Sequence, residues 1–284
     1  MNKNSFLAQP ETQTFINFLA NKWEGDFRFI LGIKCKRGKA NAKYITINSL
    51  KEAYENYCWQ YFLNEYQGYP FDPTGTQLNQ SDAVLNHCQK QLLTKDGSLI
   101  NNKQILLAAS EIILKWGGVS NGNLNHLRTS DFSIYNHYRG LQLLWNNLQE
   151  GANFKPLDLK GIKSNAGFTK LHSVILKDFI IYDSRVSVAL AYLTELCFGS
   201  NIPNHLQWRI SPPRNETKHL RPVNSAFKHI RHKQDHYHLH SNILASILLA
   251  ELRDQLKHTY PHLKLRDIEA SLFMVGYDIR NLKI

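Results

Sequence analysis

Ser164-Asn165-Ala166-Gly167-Phe168-Thr169-Lys170-Leu171-His172, followed by Ile180-Ile181-Tyr182-Asp183-Ser184-Arg185-Val186, is the most informative run of the chain. A short polar and glycine turn opens a helix at about Phe168. That helix ends near Lys177-Asp178, and Asp183 begins the next. Phe168, Leu171, Val174 and Ile175 share one face and form a core stripe. Lys170, Ser173 and Lys177 fall on the other side, toward a cleft or solvent. A helix N-terminus exposes unpaired N–H groups and a partial positive charge, so Gly167, Phe168 and Thr169 can receive an anion through their backbone. Glycine at that place also admits close approach. Asp183 is positioned to cap the helix that follows.

Outward from this run, helical spacing dominates. Apolar residues recur every three or four positions in 15–19, 50–62, 105–116, 141–148, 186–196, 243–256 and 268–275. Gly117-Gly118 stops the helix ending at Trp116, and Pro203, Pro212, Pro213 and Pro222 break the chain into loops. The clearest strand is Tyr44-Ile45-Thr46-Ile47, paired with 27–31 across a basic turn. The expected fold is therefore mainly α with a short β-hairpin near the N-terminus.

A net charge of +11 asks for a polyanionic partner, nucleic acid before an anionic membrane. The charge is concentrated. Residues 27–51 contain no acid, and residues 209–233 hold Arg209, Arg214, Lys218, Arg221, Lys228, Arg231 and Lys233 against Glu216 alone. Loop-borne cations of this kind reach phosphates and release counterions, although a solvated basic face has the same composition. The longest apolar stretch, 243–252, is too short to span a bilayer, and residues 1–5 do not begin a signal peptide. Cys35, Cys58, Cys88 and Cys197 lie far apart, as free thiols in a reducing compartment do, which predicts a cytoplasmic protein.

Any single lysine on a helix is usually solvated, and Asp183 as a mere N-cap is worth roughly 1 kcal/mol. Their company changes the reading. The run resembles the helix-hairpin-helix DNA glycosylases, most closely the bacterial branch similar to 8-oxoguanine glycosylases. Gly167-Phe168-Thr169-Lys170 matches that family's turn and catalytic lysine, and Tyr182-Asp183-Ser184-Arg185-Val186 matches its aspartate segment. Residues 113–119 and 269–277 are also similar, so the resemblance covers about 112–284 and leaves the first hundred residues unmatched.

The resemblance implies two helical lobes around a DNA-binding cleft, with an N-terminal region 1–110 and a glycosylase-like region 111–284. It implies excision of a damaged or modified base, for repair or for defence against modified viral DNA, with a lyase step if the lysine reacts. Lys170 and Asp183 are then catalytic, with Lys160 and Lys163 as alternative amines. DNA contacts fall to Gly167, Phe168, Thr169, Ser184 and Arg185, and to Arg209, Arg214 and Lys218 of the basic loop. Trp116, His172 and Phe273 are the candidates for the base pocket. The expected partner is duplex DNA bound by a monomer, with no cofactor, metal or membrane.

Two rival readings stand beside this one. His229, His232, His236, His238 and His240 crowd around Asp235 and suggest a metal-dependent nuclease, although no single periodicity aligns all five. A non-catalytic DNA-binding protein keeping the same hairpin is the other.

Overall fold

The computed structural model describes residues 1–25, 27–34, 42–57, 77–129, 132–211, 224–231, 233–279 and 282–283. Among these residues it is mainly helical. The helices are α1 (Lys3–Leu7), α2 (Pro10–Glu24), α3 (Leu50–Glu55), α4 (Gln77–Leu92), α5 (Lys103–Trp116), α6 (Ser120–Arg128), α7 (Ile134–Gln149), α8 (Phe168–Ile175), α9 (Ser184–Phe198), α10 (Asp235–Leu256) and α11 (Leu265–Val275). The strands are β1 (Arg28–Lys34), β2 (Ala42–Ile47) and β3 (Leu282–Lys283), in the order β2-β1-β3.

Local chemistry sets most of these boundaries. In α7 the buried residues Ile134, Tyr138, Leu141, Trp145 and Leu148 recur at helical spacing. Ser133 caps that helix by accepting the Asn136 N–H. In α5 the same stripe is Leu106, Ala109, Ile113 and Leu114, and Asn102 accepts from the N–H groups of Gln104 and Ile105. The hairpin expected near the N-terminus is present, with Phe29 opposite Ile47 in an antiparallel register. Both side chains are buried. The strand β3 pairs with the other edge of β1 and was not legible from two residues. The basic turn between β1 and β2 lies outside the described residues.

The expected boundary at residue 110 falls inside α5. Helix α5 packs on α4, α6, α7 and α8, so residues on both sides of 110 belong to one helical group. The N-terminal elements join the C-terminal ones instead: α2 packs on α9 and α10, and α3 on α11. The reason is hydrophobic. Phe6, Phe15, Ile16 and Leu19 are fully buried in the same continuous core as Leu244, Leu248 and Leu249 of α10. No described helix is long and apolar enough to cross a membrane. Cys88 and Cys197 are free thiols, and Cys35 and Cys58 lie outside the described residues.

Candidate functional site

Lys170 and Asp183, paired by the sequence reading, lie side by side. Asp183 is the N-cap of α9, its Oδ1 accepting from the N–H groups of Arg185 and Val186. Its other carboxylate oxygen lies 3.7 Å from Lys170 Nζ, and the two side chains are 14% and 6% exposed. The amine also donates to the Ala166 carbonyl at 3.1 Å. Lys170 therefore does not lie on a solvent face. Seven of the eight α8 residues are buried, because the helix is wrapped on all sides by α4, α5 and α7 and by the segment that follows it.

Burial, the largest influence, lowers the Lys170 pKa from that of an ordinary lysine. Asp183 opposes the shift, and Arg266 and Arg185 reinforce it. For Asp183, burial acts to raise the pKa, but Lys170, Arg185 and the two N–H donors outweigh it and hold the carboxyl below its usual value. The pair is thus biased toward an ionised carboxylate beside an amine that loses its proton more easily than usual.

Three segments singled out in the sequence converge here by close backbone approach. A Cβ on Gly117 would lie 2.3 Å from Lys170 Cδ and 2.5 Å from its Cε, so the lysine stem runs over a surface that only glycine provides. A Cβ on Gly276 would lie 2.0 Å from the Arg185 carbonyl oxygen, so the end of α11 seats directly on the first turn of α9. Arg185 stacks on Tyr277 and Phe273, its guanidinium carbon 3.5 Å and 4.3 Å from their ring centroids. Buried Glu269 accepts the Ile181 N–H at 2.9 Å, just before Asp183, and pairs with Arg266, which also reaches Asp82. Sequence reasoning missed Glu269 and Arg266. Their signal was present, since Glu269 follows Ile268 on the inward side of α11.

Other expected site residues lie elsewhere. Phe168 and Thr169 are fully buried. The N–H groups of Gly167 and Phe168 both go to Asn165 Oδ1, and that of Thr169 to the Asn165 carbonyl. The anion-receiving role expected of this turn is therefore corrected: Asn165 already occupies these donors. His172 is fully buried, beside His137 at 3.4 Å, within an aromatic group that includes Phe168 and Phe179. It belongs to the core on the far side of α8 from Asp183 rather than to a base pocket. Trp116 and Phe273 do border the site, under the guanidinium groups of Arg266 and Arg185 respectively. Ser184 is the first residue of α9 and half-buried. Arg209 lies over Tyr237, 4.8 Å from its ring centroid, and Arg214 and Lys218 lie outside the described residues.

The histidine cluster does not form a coordination group among the described residues. Both ring nitrogens of His238 are engaged by serine hydroxyls, His240 packs on Phe154 and His236 on Tyr237. His229 is exposed, and His232 lies outside the described residues. Of the alternative amines, Lys163 is tied to Asp235 at 2.8 Å, and Lys160 is exposed.

Comparison of the chain with models of protein families, with curated proteins and with solved structures returns no match.

Proposed function

We propose that this protein is a DNA glycosylase in which Lys170 and Asp183 act on the sugar of an extruded nucleotide. The observation that carries the reading is a buried amine facing a buried, N-capping carboxylate, with two arginines favouring the neutral amine. A surface lysine has none of these features. The net charge of +11 and the cations in and around the 160–167 turn (Lys160, Lys163, Arg231 and Lys233) suit a polyanionic duplex. A base inside a duplex is out of reach, so the nucleotide must first leave the stack.

In the step proposed, the neutral Lys170 amine forms a bond to C1′ while the bond from C1′ to the base breaks. The base leaves with that electron pair, and Asp183 takes the proton of the new ammonium. Asp183 returns that proton to O4′ as the C1′–O4′ bond breaks and the nitrogen lone pair forms the C1′=N bond, which gives the protonated imine from which a lyase step follows. Asp183 also stabilises the positive charge that grows on the sugar during bond cleavage. A role in repair and a role against modified viral DNA require the same chemistry.

The test combines two assays on the full chain. Borohydride is added with duplex DNA carrying an abasic site, which presents the aldehyde whatever the natural target base. A panel of damaged and modified duplexes is screened for released base. A covalent adduct that disappears in Lys170→Ala and is reduced in Asp183→Asn is the expected result. A folded protein that gives neither an adduct nor a released base refutes the proposal.

A further inference from the structure

A cleft of about 800 Å3 opens beside the reacting pair, and neither Lys170 nor Asp183 lines it. Among the described residues, its rim carries Lys160, Lys163, Arg231 and Lys233 against one carboxylate, Asp235. That carboxylate is already paired with Lys163. The other three cations give the described part of the mouth a positive excess, as an anionic group requires. One wall presents the rings of His126 and Phe132, with centroids 4.5 Å apart.

The floor is an ordered polar relay. His238 is 1% exposed, yet it lines the cleft. Its Nδ1 is 2.8 Å from Ser164 Oγ, and its Nε2 is 2.8 Å from Ser211 Oγ. Both serines are buried, and both line the cleft. The relay is held from outside: the Ser211 N–H donates to Ser187 Oγ of α9, and the Tyr182 ring meets the His238 ring edge-on.

Burial pushes His238 down to about 4, so near neutral pH the ring carries one N–H and one lone pair. One serine accepts from the ring, with the Tyr182 backbone as a second acceptor of ring N–H, while the other serine donates to the ring lone pair. The accepting serine keeps its own hydroxyl proton for the cleft, and the donating serine turns its lone pairs outward. The floor thus offers one donor and one acceptor.

We infer that this cleft is a binding site for a nucleoside phosphate, with the phosphate on Lys160, Arg231 and Lys233, the heterocycle against Phe132 and His126, and its polar edge read by Ser164 and Ser211. A volume of this order holds such a ligand with room for water. An inorganic anion needs only the mouth, and an apolar ligand would leave the relay unsatisfied. Two sources present this chemistry, a nucleotide unit of a DNA strand and a free nucleotide. The site is separate from the reacting pair, so its test measures binding and is independent of base release.

Calorimetric titration of the full chain at low salt uses deoxynucleoside 5′-monophosphates, the matching nucleosides, inorganic phosphate and a short single-stranded oligonucleotide. At least one monophosphate is expected to bind about tenfold more tightly than its nucleoside and than inorganic phosphate, the effect of one charge-assisted contact. Ser211→Ala should weaken that monophosphate about tenfold through loss of the relay. Arg231→Ala and Lys233→Ala, at exposed positions that leave the fold undisturbed, should weaken the monophosphate and leave the nucleoside unchanged. An oligonucleotide that outcompetes every monophosphate assigns the site to a strand, and the reverse order assigns it to free nucleotides; either order upholds the site. Inorganic phosphate binding as tightly as every monophosphate, no ligand binding at all, or Arg231→Ala and Lys233→Ala binding like the parent protein would overturn it.

Discussion

Replacing Gly117 with alanine tests the placement of the Lys170 amine without touching any reacting group. Gly117 has φ −76° and ψ −6°, a conformation alanine adopts without strain. On backbone grounds alone the change would stabilise by about 0.4–1 kcal/mol. The added Cβ would, however, sit 2.3 Å from Lys170 Cδ, whereas ordinary contact begins at 3.4 Å. The lysine stem must therefore move by about 1 Å. It has little room to do so, because its side chain is 6% exposed and α8 is packed on all sides. Overpacking of this kind costs roughly 1–3 kcal/mol, so net stability falls only modestly. The proposed reaction is more sensitive: a misplacement of about 1 Å costs on the order of 100-fold in rate. The assay is the rate of borohydride-trapped adduct on abasic duplex, with thermal melting alongside. Gly122→Ala is the control, since its Cβ would meet nothing within 4 Å. A folded Gly117→Ala protein that traps at the parent rate would falsify the assignment of Lys170 as the reacting amine.

Three further outcomes are expected. Gly276→Ala drives a Cβ to 2.0 Å from the Arg185 carbonyl oxygen, which as backbone cannot swing away, so stability should fall by about 1–3 kcal/mol in chemical denaturation; an unchanged midpoint would contradict the contact. Glu269→Ala removes the acceptor of the Ile181 N–H and one partner of Arg266, an expected loss of about 3–5 kcal/mol, whereas Glu269→Gln should lose less because it can still accept; equal losses would show that the hydrogen bond is not what matters. Acid should also destabilise the fold. His238 has its folded pKa lowered to about 4, against roughly 6.5 in the unfolded chain, so between those values the unfolded state binds a proton that the folded state does not. Stability is then full above about pH 6.5 and declines toward pH 4, by roughly 2 kcal/mol at pH 5 from this group alone. His172 and half-buried His137, also lowered by burial, add to the decline. Urea melts that match at pH 7 and pH 5 would sink this account.

Much of the fold was legible because burial writes a period into the sequence. The helices containing 105–116, 141–148, 186–196, 243–256 and 268–275 all appear, and so does the β1–β2 hairpin. Helix α4 was not anticipated. Its inward positions include Leu78, Ser81, Val84, Leu85, Cys88 and Leu92, and the polar residues between and among them dilute the stripe. The pairing of Lys170 with Asp183 followed from family likeness, and nothing in local spacing reports that α8 is enclosed. The fate of the 165–169 turn was legible in principle. An asparagine two residues before a glycine is a known competitor for helix N–H groups, and Asn165 takes two of them with its side chain. The cleft was not legible at all. Asn123, Phe132, Ser164, Ser211 and His238 come from separate segments, and only the folded chain sets them around one space.

In the proposed reaction burial makes two opposed demands on Lys170, and the 164–167 turn is where they meet. Taking the amine out of water lowers its pKa, as the proposed nucleophile at neutral pH requires, but the same burial would keep a sugar substrate away from it. The Ala166 carbonyl, which accepts from the amine at 3.1 Å, belongs to the turn that also lines the cleft. Asn165 fixes that turn by bonding the N–H groups of Gly167 and Phe168 and by accepting from Thr169 through its carbonyl. Its amide also donates to Asn123 on α6. If the rim binds a polyanion as proposed, that ligand would act on the same short segment that holds the amine in place. Replacing Asn165 would loosen both at once, whereas replacing a rim cation would weaken binding and leave the amine where it is.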